Sequence, residues 1–245
     1  MKAAARWLGL AVLAALLLQL FFVARIAAMA VLAPQSTAFQ RSEAWRAVHD
    51  GRAGRWQQAW VPYAQLSDNL KRAVIASEDA GFASHGGVDW EAMQQAWHKN
   101  IRAEERAARR AEQARPGATL RAPRIMGGST ITQQLAKNLF LSGERNLLRK
   151  AQELVLAQLL EALLSKQRIL EIYLNSVEWG EGIFGAEAAA QRYYGKPAAR
   201  LSPGEAARLA VMLPRPRYFE KLPNSAYVAS RAAVIVARMG AVQSP

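Results

Sequence analysis

Residues 127–182 read GGSTITQQLAKNLFLSGERNLLRKAQELVLAQLLEALLSKQRILEIYLNSVEWGEG, and the spacing of their apolar positions decides the fold class. Leucine, isoleucine and alanine recur every three or four positions, the period of helices, and few segments alternate as strands do. Thr130 and Gln133 fit a capping box at the first of these helices. Downstream, Ser202-Pro203 marks another start, with proline at the first helical position, and residues 226–239 make a last amphipathic segment. Upstream, Ser67 or Asp68 can cap a helix carrying Leu70, Val74 and Ile75 that ends near Gly81, and another begins near Asp89. The expectation is an all-α domain over residues 61–245, approached through a linker at 33–60 that is extended or short-stranded.

Composition sets the frame. Of 245 residues, 51% are apolar and 21% charged, a globular balance and not a disordered one. Cysteine is absent, which excludes disulfides and thiolate metal sites. His49, His85 and His98 stand at no ligand spacing, which argues against a histidine zinc site. The net charge of +13 fits nucleic acid, an anionic lipid surface or a phosphate-bearing substrate, and composition does not choose among them.

The N-terminus does choose. Residues 7–24 are uncharged and almost wholly apolar; Arg25 interrupts, and the apolar run resumes to residue 33. A helix rising about 1.5 Å per residue nearly spans a hydrocarbon core of roughly 30 Å over the first stretch alone. Residues 7–32 are therefore read as a transmembrane anchor, and Lys2 and Arg6 assign residues 1–6 to the cytoplasm and the remainder to the outside. The rival, a cleaved signal peptide, has a shorter apolar region of about 7–15 residues. An external domain turns the basic surface away from nucleic acid and towards phosphate-bearing lipid. Cutting the anchor at Arg25 or beyond is expected to weaken membrane-dependent work more than folding.

Residues 102–124, RAEERAARRAEQARPGATLRAPR, form a charged insertion. It reads as a solvated helix extension followed by a flexible loop, or as an electrostatic contact with anionic headgroups.

Candidate chemistry lies in four places. Glu78 and Asp79 end an apolar helix ahead of a glycine-containing loop; such carboxylates suit base work, although a solvated turn has the same look. Phe82 and His85 are that loop's anchors. Gly127-Gly128-Ser129-Thr130 opens a helix whose free N–H groups suit a phosphate, but it lacks the lysine and spacing of a Walker loop. Lys137, Arg145, Arg149 and Lys150 then make a run of cations, a pattern that solvated faces share. Glu153 stands four residues after Arg149 and three after Lys150, so the three can share one helical face, with Glu161 two turns on.

Taken in order, EDAGFASHGGVD, GGSTITQQLAKNLF, RKAQELVLAQLLE, KQRILEIYLNSVEWGEGIFGAEAAAQRYYGK and RLAVMLPRP resemble the five motifs of the family 51 glycosyltransferases, which polymerise lipid II. The resemblance runs from about residue 60 to 220. A chain that stops at Pro245 looks like the monofunctional branch of that family. It implies a lysozyme-like, two-lobed helical fold with a single N-terminal membrane helix, anchored in the inner membrane with the catalytic domain in the periplasm. It implies Glu78 as general base and Glu153 as the second catalytic glutamate. Lys137, Arg145, Arg149 and Lys150 would grip diphosphates, and Asp79, Phe82, His85, Thr130 and Gln134 would line the cleft. The partners implied are lipid II, the growing lipid-linked glycan, and cell-wall synthesis or division proteins, with no nucleic acid. A divalent cation, Mg2+ or Mn2+, is allowed near Glu153, no metal ligand is assigned, and no organic cofactor is implied. Two departures stand out: the charged insertion, and Tyr194 where the family usually has phenylalanine. The rivals are a lysozyme-like lytic transglycosylase or hydrolase, which needs one acidic glutamate and no cation run, and a catalytically silent cell-wall scaffold.

Overall fold

The computed structural model describes residues 2–51, 56–113, 122, 127–141 and 146–245. Eleven α-helices account for most of them: α1 Lys2–Ala28, α2 Ala38–His49, α3 Asp68–Glu78, α4 Trp90–Glu112, α5 Ile131–Phe140, α6 Leu147–Leu163, α7 Lys166–Ser176, α8 Ala186–Tyr194, α9 Pro203–Met212, α10 Pro216–Phe219 and α11 Ala226–Met239. Three short strands, β1 Gln57–Gln58, β2 Glu178–Gly180 and β3 Ile183–Phe184, form a small sheet in the order β1-β3-β2. β3 runs parallel to β1 and antiparallel to β2. The fold is all-α with one N-terminal helix long and apolar enough to cross a membrane.

Local chemistry explains where the helices begin. Ser67, Asp89, Thr130, Asn146, Ser165, Ser202 and Ser225 each accept a backbone N–H of the first turn through their side chain. Thr130 with Gln133, and Ser202 with Glu205, close the reciprocal capping boxes. The segment at 33–60 departs from the expected linker. It carries α2, capped by Thr37 and Gln40, and Gln40 Nε2 also donates to the Ser176 carbonyl at the end of α7 (3.3 Å). The polar sequence AFQRSEAWRAVH hides this helix because only one side is buried, and it is buried through Gln40 and Glu43.

The core gathers α3, α9 and α11 on one side and α5, α6 and α7 on the other, around fully buried Leu70, Ile75, Leu135, Leu160, Tyr173 and Trp179. Trp179 Nε1 donates to the Leu209 carbonyl (3.1 Å), which gives its buried N–H a partner. Asn175 holds the chain ahead of α3: its Oδ1 accepts from Val61 N (2.8 Å) and its Nδ2 donates to Val61 O (2.9 Å).

α1 is not tethered loosely. Leu8, Leu13, Leu17 and Leu20 are exposed, but Phe22, Ile26 and Met29 join the core. Phe22 meets Phe140 edge-on, with ring centroids 5.2 Å apart, and Gln19 and Gln152 exchange side-chain hydrogen bonds of 3.2 and 3.3 Å. Arg168 caps the exit, donating to the Met29 carbonyl (2.7 Å) and the Leu32 carbonyl (2.8 Å). The helix runs from residue 2 to 28, and residues 29–32 turn away, so the apolar run expected at 7–32 is helix plus turn. A cut at Arg25 therefore removes Phe22 from the core, and one beyond Met29 removes Ile26 and Met29 as well, so truncation would reach folding too.

Candidate active site

Glu78 is the last residue of α3, and three neighbours set its state. Gln134 Nε2 donates to Oε2 (3.0 Å) and Ser77 Oγ to Oε1 (3.4 Å). Burial is the largest influence and raises its pKa; the two hydrogen bonds oppose the rise, and the neighbouring Asp79 charge adds to it. Gln134 is oriented in turn by Tyr173, whose hydroxyl donates to Gln134 Oε1 (2.9 Å). Tyr173 is buried, and burial first, then the charges of Glu78 and Asp79, hold its hydroxyl well above its ordinary pKa of 10.0. It therefore acts as a donor, which leaves the amide NH2 of Gln134 facing the carboxylate.

Asp79 continues from α3 in an extended conformation and joins the first motif to α5. Its Oδ2 accepts from Ile131 N (3.0 Å) and its Oδ1 pairs with His85 Nε2 (2.8 Å). Gly87 N donates to His85 Nδ1 (3.2 Å), so the proton sits on Nε2 and is donated to Asp79. Thr130 Oγ1 closes the loop onto the Gly87 carbonyl (2.6 Å). Gly87 adopts φ +85°, and a Cβ there would stand 2.9 Å from Glu161 Cγ and 3.2 Å from the Ala157 carbonyl oxygen. Lys166 holds the loop from below, donating to the His85 carbonyl (2.7 Å) and Glu161 (2.8 Å), with its ammonium 4.5 Å from the Phe82 ring centroid. Phe82 is fully buried and anchors the loop in the core.

Glu153 sits on α6 in the opposite setting, only 3% exposed yet bracketed by cations. Arg149 NH1 donates to Oε2 (2.9 Å) and Lys150 Nζ to Oε1, while Lys150 also reaches Ser129 Oγ (3.5 Å) just ahead of α5. The segment 129–134 thus touches both carboxylate clusters: Glu78 through Gln134, and Glu153 through Ser129 and Lys150. Among the described residues, buried Gln133 Nε2 and Arg149 Nε have no hydrogen-bond partner, which carries a desolvation cost.

The expected residues fall into two linked groups. Glu78, Asp79, Phe82, His85, Thr130 and Gln134 form one connected network, and Arg149, Lys150 and Glu153 form the other. Lys137 is exposed on α5, one turn past Gln134. Arg145 lies outside the described residues, as does much of the charged insertion beyond Gln113; its helix extension does appear, as α4 to Glu112. Asp79 and His85 bond each other, and Asp79 and Thr130 bond backbone groups of Ile131 and Gly87, so these residues of the expected cleft also hold the loop. Sequence reasoning passed over Tyr173 and Lys166, and named Ser129 only within the Gly127–Thr130 helix start. Tyr173 falls at an apolar position of its helix, and only the hydroxyl hints at a second task.

The arrangement offers a half-buried carboxylate that can accept a proton and, near the start of α5, fixed cations that can meet an anion. Comparisons with known proteins show its family. A family model described as Transglycosylase matches residues 46–240. The chain is 52% identical over 248 residues to a protein of Burkholderia thailandensis named biosynthetic peptidoglycan transglycosylase, covering 100% of this chain and 90% of that one. Proteins of the same name from Burkholderia vietnamiensis and Burkholderia multivorans are 52% identical over 227 residues, with 93% of this chain and 85% of theirs covered.

Proposed function

The chain belongs to the transglycosylase family, and we infer from that membership that it is a peptidoglycan glycosyltransferase of cell-wall synthesis, with lipid II and a growing glycan strand as substrates. The observation that carries the residue-level reading is the contrast between its two carboxylates: half-buried Glu78 is held by the neutral donors Gln134 and Ser77, and Glu153 is clamped by two cations.

In this reading Glu78 takes the proton from the 4-hydroxyl of the N-acetylglucosamine on incoming lipid II. The freed oxygen forms a bond to C1 of the muramoyl sugar at the reducing end of the chain, and the bond from C1 to undecaprenyl diphosphate breaks. Inversion at C1 gives the β-1,4 link. Gln134, held by Tyr173, keeps the Glu78 carboxylate aimed and favours its ionised form. Arg149 and Lys150, with Lys137 on the facing helix, meet the charge that builds on the departing diphosphate. Glu153 acts through those cations, holding Arg149 and Lys150 in place.

A divalent cation, Mg2+ or Mn2+, would find few protein ligands here. Both Glu153 oxygens are engaged by cations, and among the described residues no three His, Cys, Asp or Glu side chains converge. The residues present do not fit a protein-held metal, and no step is routed through one.

α1 is read as an anchor in the inner membrane, with the N-terminus in the cytoplasm and the catalytic domain in the periplasm. Its exposed leucines, and Lys2 and Arg6 at its start, support that orientation. A lysozyme-like hydrolase has no diphosphate to hold, and the Arg149–Glu153–Lys150 cluster speaks against it. The deciding assay supplies purified full chain with lipid II and looks for polymer, then with finished glycan and looks for cleavage. Cleavage without polymer overturns the reading.

A further inference from the structure

A pocket of about 380 Å³ opens where α1 ends, away from the site above, with Arg25, Ala28, Leu32, Pro34, Ser36 and Arg41 among the residues on its wall. Two arginines, Arg25 and Arg41, line this pocket. Arg25 lies 5.8 Å from the Phe21 ring centroid and 6.0 Å from that of Phe140, the last residue of α5. Arg41 directs NH1 to the Ser36 carbonyl (3.1 Å) and the Ser36 hydroxyl (3.2 Å). Among the described residues neither arginine meets a carboxylate, whereas Arg46, Arg149, Arg168 and Arg217 each do. Cations facing one concavity without a counter-charge favour an anion between them.

The surroundings say what kind of anion. Ala28 and Leu32 give the pocket an apolar side continuous with α1, and Val31 and Leu32 beside it are 83% and 63% exposed. The occupant should therefore be apolar at one end and anionic at the other. The partial negative charge at the end of a helix would oppose an anion, but Arg168 donates to the carbonyls of Met29 and Leu32. The potential at the pocket is left to Arg25 and Arg41.

We propose that this pocket binds the phosphate of an anionic phospholipid headgroup, with Arg25 and Arg41 donating to its oxygens and the acyl chains lying along the apolar face of α1. The proposal rests on α1 lying in a bilayer. Because Arg25 also covers Phe140, a bound headgroup would brace α1 against the C-terminal end of α5.

The test uses the full chain in nanodiscs holding equal phosphatidylglycerol and phosphatidylcholine, extracted gently and weighed by native mass spectrometry. Wild type should retain phosphatidylglycerol in excess. At about fivefold per cation, Arg25→Gln with Arg41→Gln should cut that excess roughly twentyfold. Ala28→Trp, which fills the pocket and keeps both charges, should remove it as well. Wild-type selectivity in both variants overturns the site, and so does inorganic phosphate competing on equal terms with the lipid. Vesicle flotation separates the underlying reading: a chain that floats but does not select lipid sinks the pocket alone, and one that fails to float sinks the membrane anchor and the pocket together.

Discussion

Gln134 donates its amide to Glu78 at 3.0 Å, and the direction of that bond is fixed from a third helix, because Tyr173 occupies the amide's other end at 2.9 Å. α3, α5 and α7 thus meet in one chain of donors ending on the carboxylate proposed as base. A half-buried carboxylate held by two neutral donors keeps a raised pKa more readily than one saturated with bonds or paired with cations.

The pH dependence of polymerisation should follow. Glu78 works as the anion and its pKa is raised by burial, so turnover is expected to climb with pH through that raised value and then level. Gln134→Leu removes a bond that favours the anion and should move the acid limb to higher pH; Tyr173→Phe should move it the same way by less. Glu78→Gln should cost about 10²–10⁴ in rate. A pH–rate profile that Gln134→Leu leaves in place refutes the link.

Glu153→Gln keeps the shape and one accepting oxygen but loses the charge between Arg149 and Lys150. Turnover on lipid II should fall by more than about 100-fold, while thermal denaturation stays cooperative. Near-normal turnover would remove Glu153 from the mechanism.

Gly87→Ala sets a Cβ 2.9 Å from Glu161 in a backbone at φ +85°. The strain and clash should cost about 1–3 kcal/mol in denaturant unfolding. Because Thr130 bonds to the Gly87 carbonyl, activity should drop further than stability explains.

Arg217 joins Glu178 and Glu43, tying α10 to β2 and α2. Burial foremost pushes the Glu178 pKa from 4.5 up to about 7, and Arg217 pulls against it. A carboxyl raised on folding takes up a proton between those values, so its contribution to stability is full below about 4.5 and lost as pH rises through about 7. Arg217→Met leaves Glu178 without its cation, while Glu43 keeps Arg46. The loss should be about 2–4 kcal/mol at neutral pH, tempered by the partial exposure of Arg217. It should be smaller near pH 5, where Glu178 can protonate. Urea titrations at the two pH values measure it, and equal losses would refute the coupling.

Truncation of α1 should split in two. Removing residues 2–18 spares Gln19, Phe22, Ile26 and the Arg168 cap, so the domain should melt as the full chain does but work poorly on membrane-embedded lipid II. Removing residues 2–29 also strips Phe22, Ile26 and Met29 from the core, at about 1.5–3 kcal/mol for each large side chain. A melting temperature that is the same for both truncations would refute the docking.

Much of this protein was legible in its residues alone. The helical period of 127–182, the caps at Ser67, Thr130 and Ser202, and the apolar run at the N-terminus are local signals, because a helix is built from contacts three and four residues apart. The order of the motifs singled out Glu78 and Glu153 as candidates. The helix at 38–49 escaped because its buried side is polar and is satisfied from α7, far along the chain. Tertiary structure alone decided that Tyr173 aims Gln134, that Asp79, His85 and Thr130 brace a loop, and that Gln19 and Arg168 bind the anchor to the domain. Each of these depends on side chains brought together from distant positions, which no periodicity records, since a hydrogen bond across the core is fixed only when both of its helices have packed.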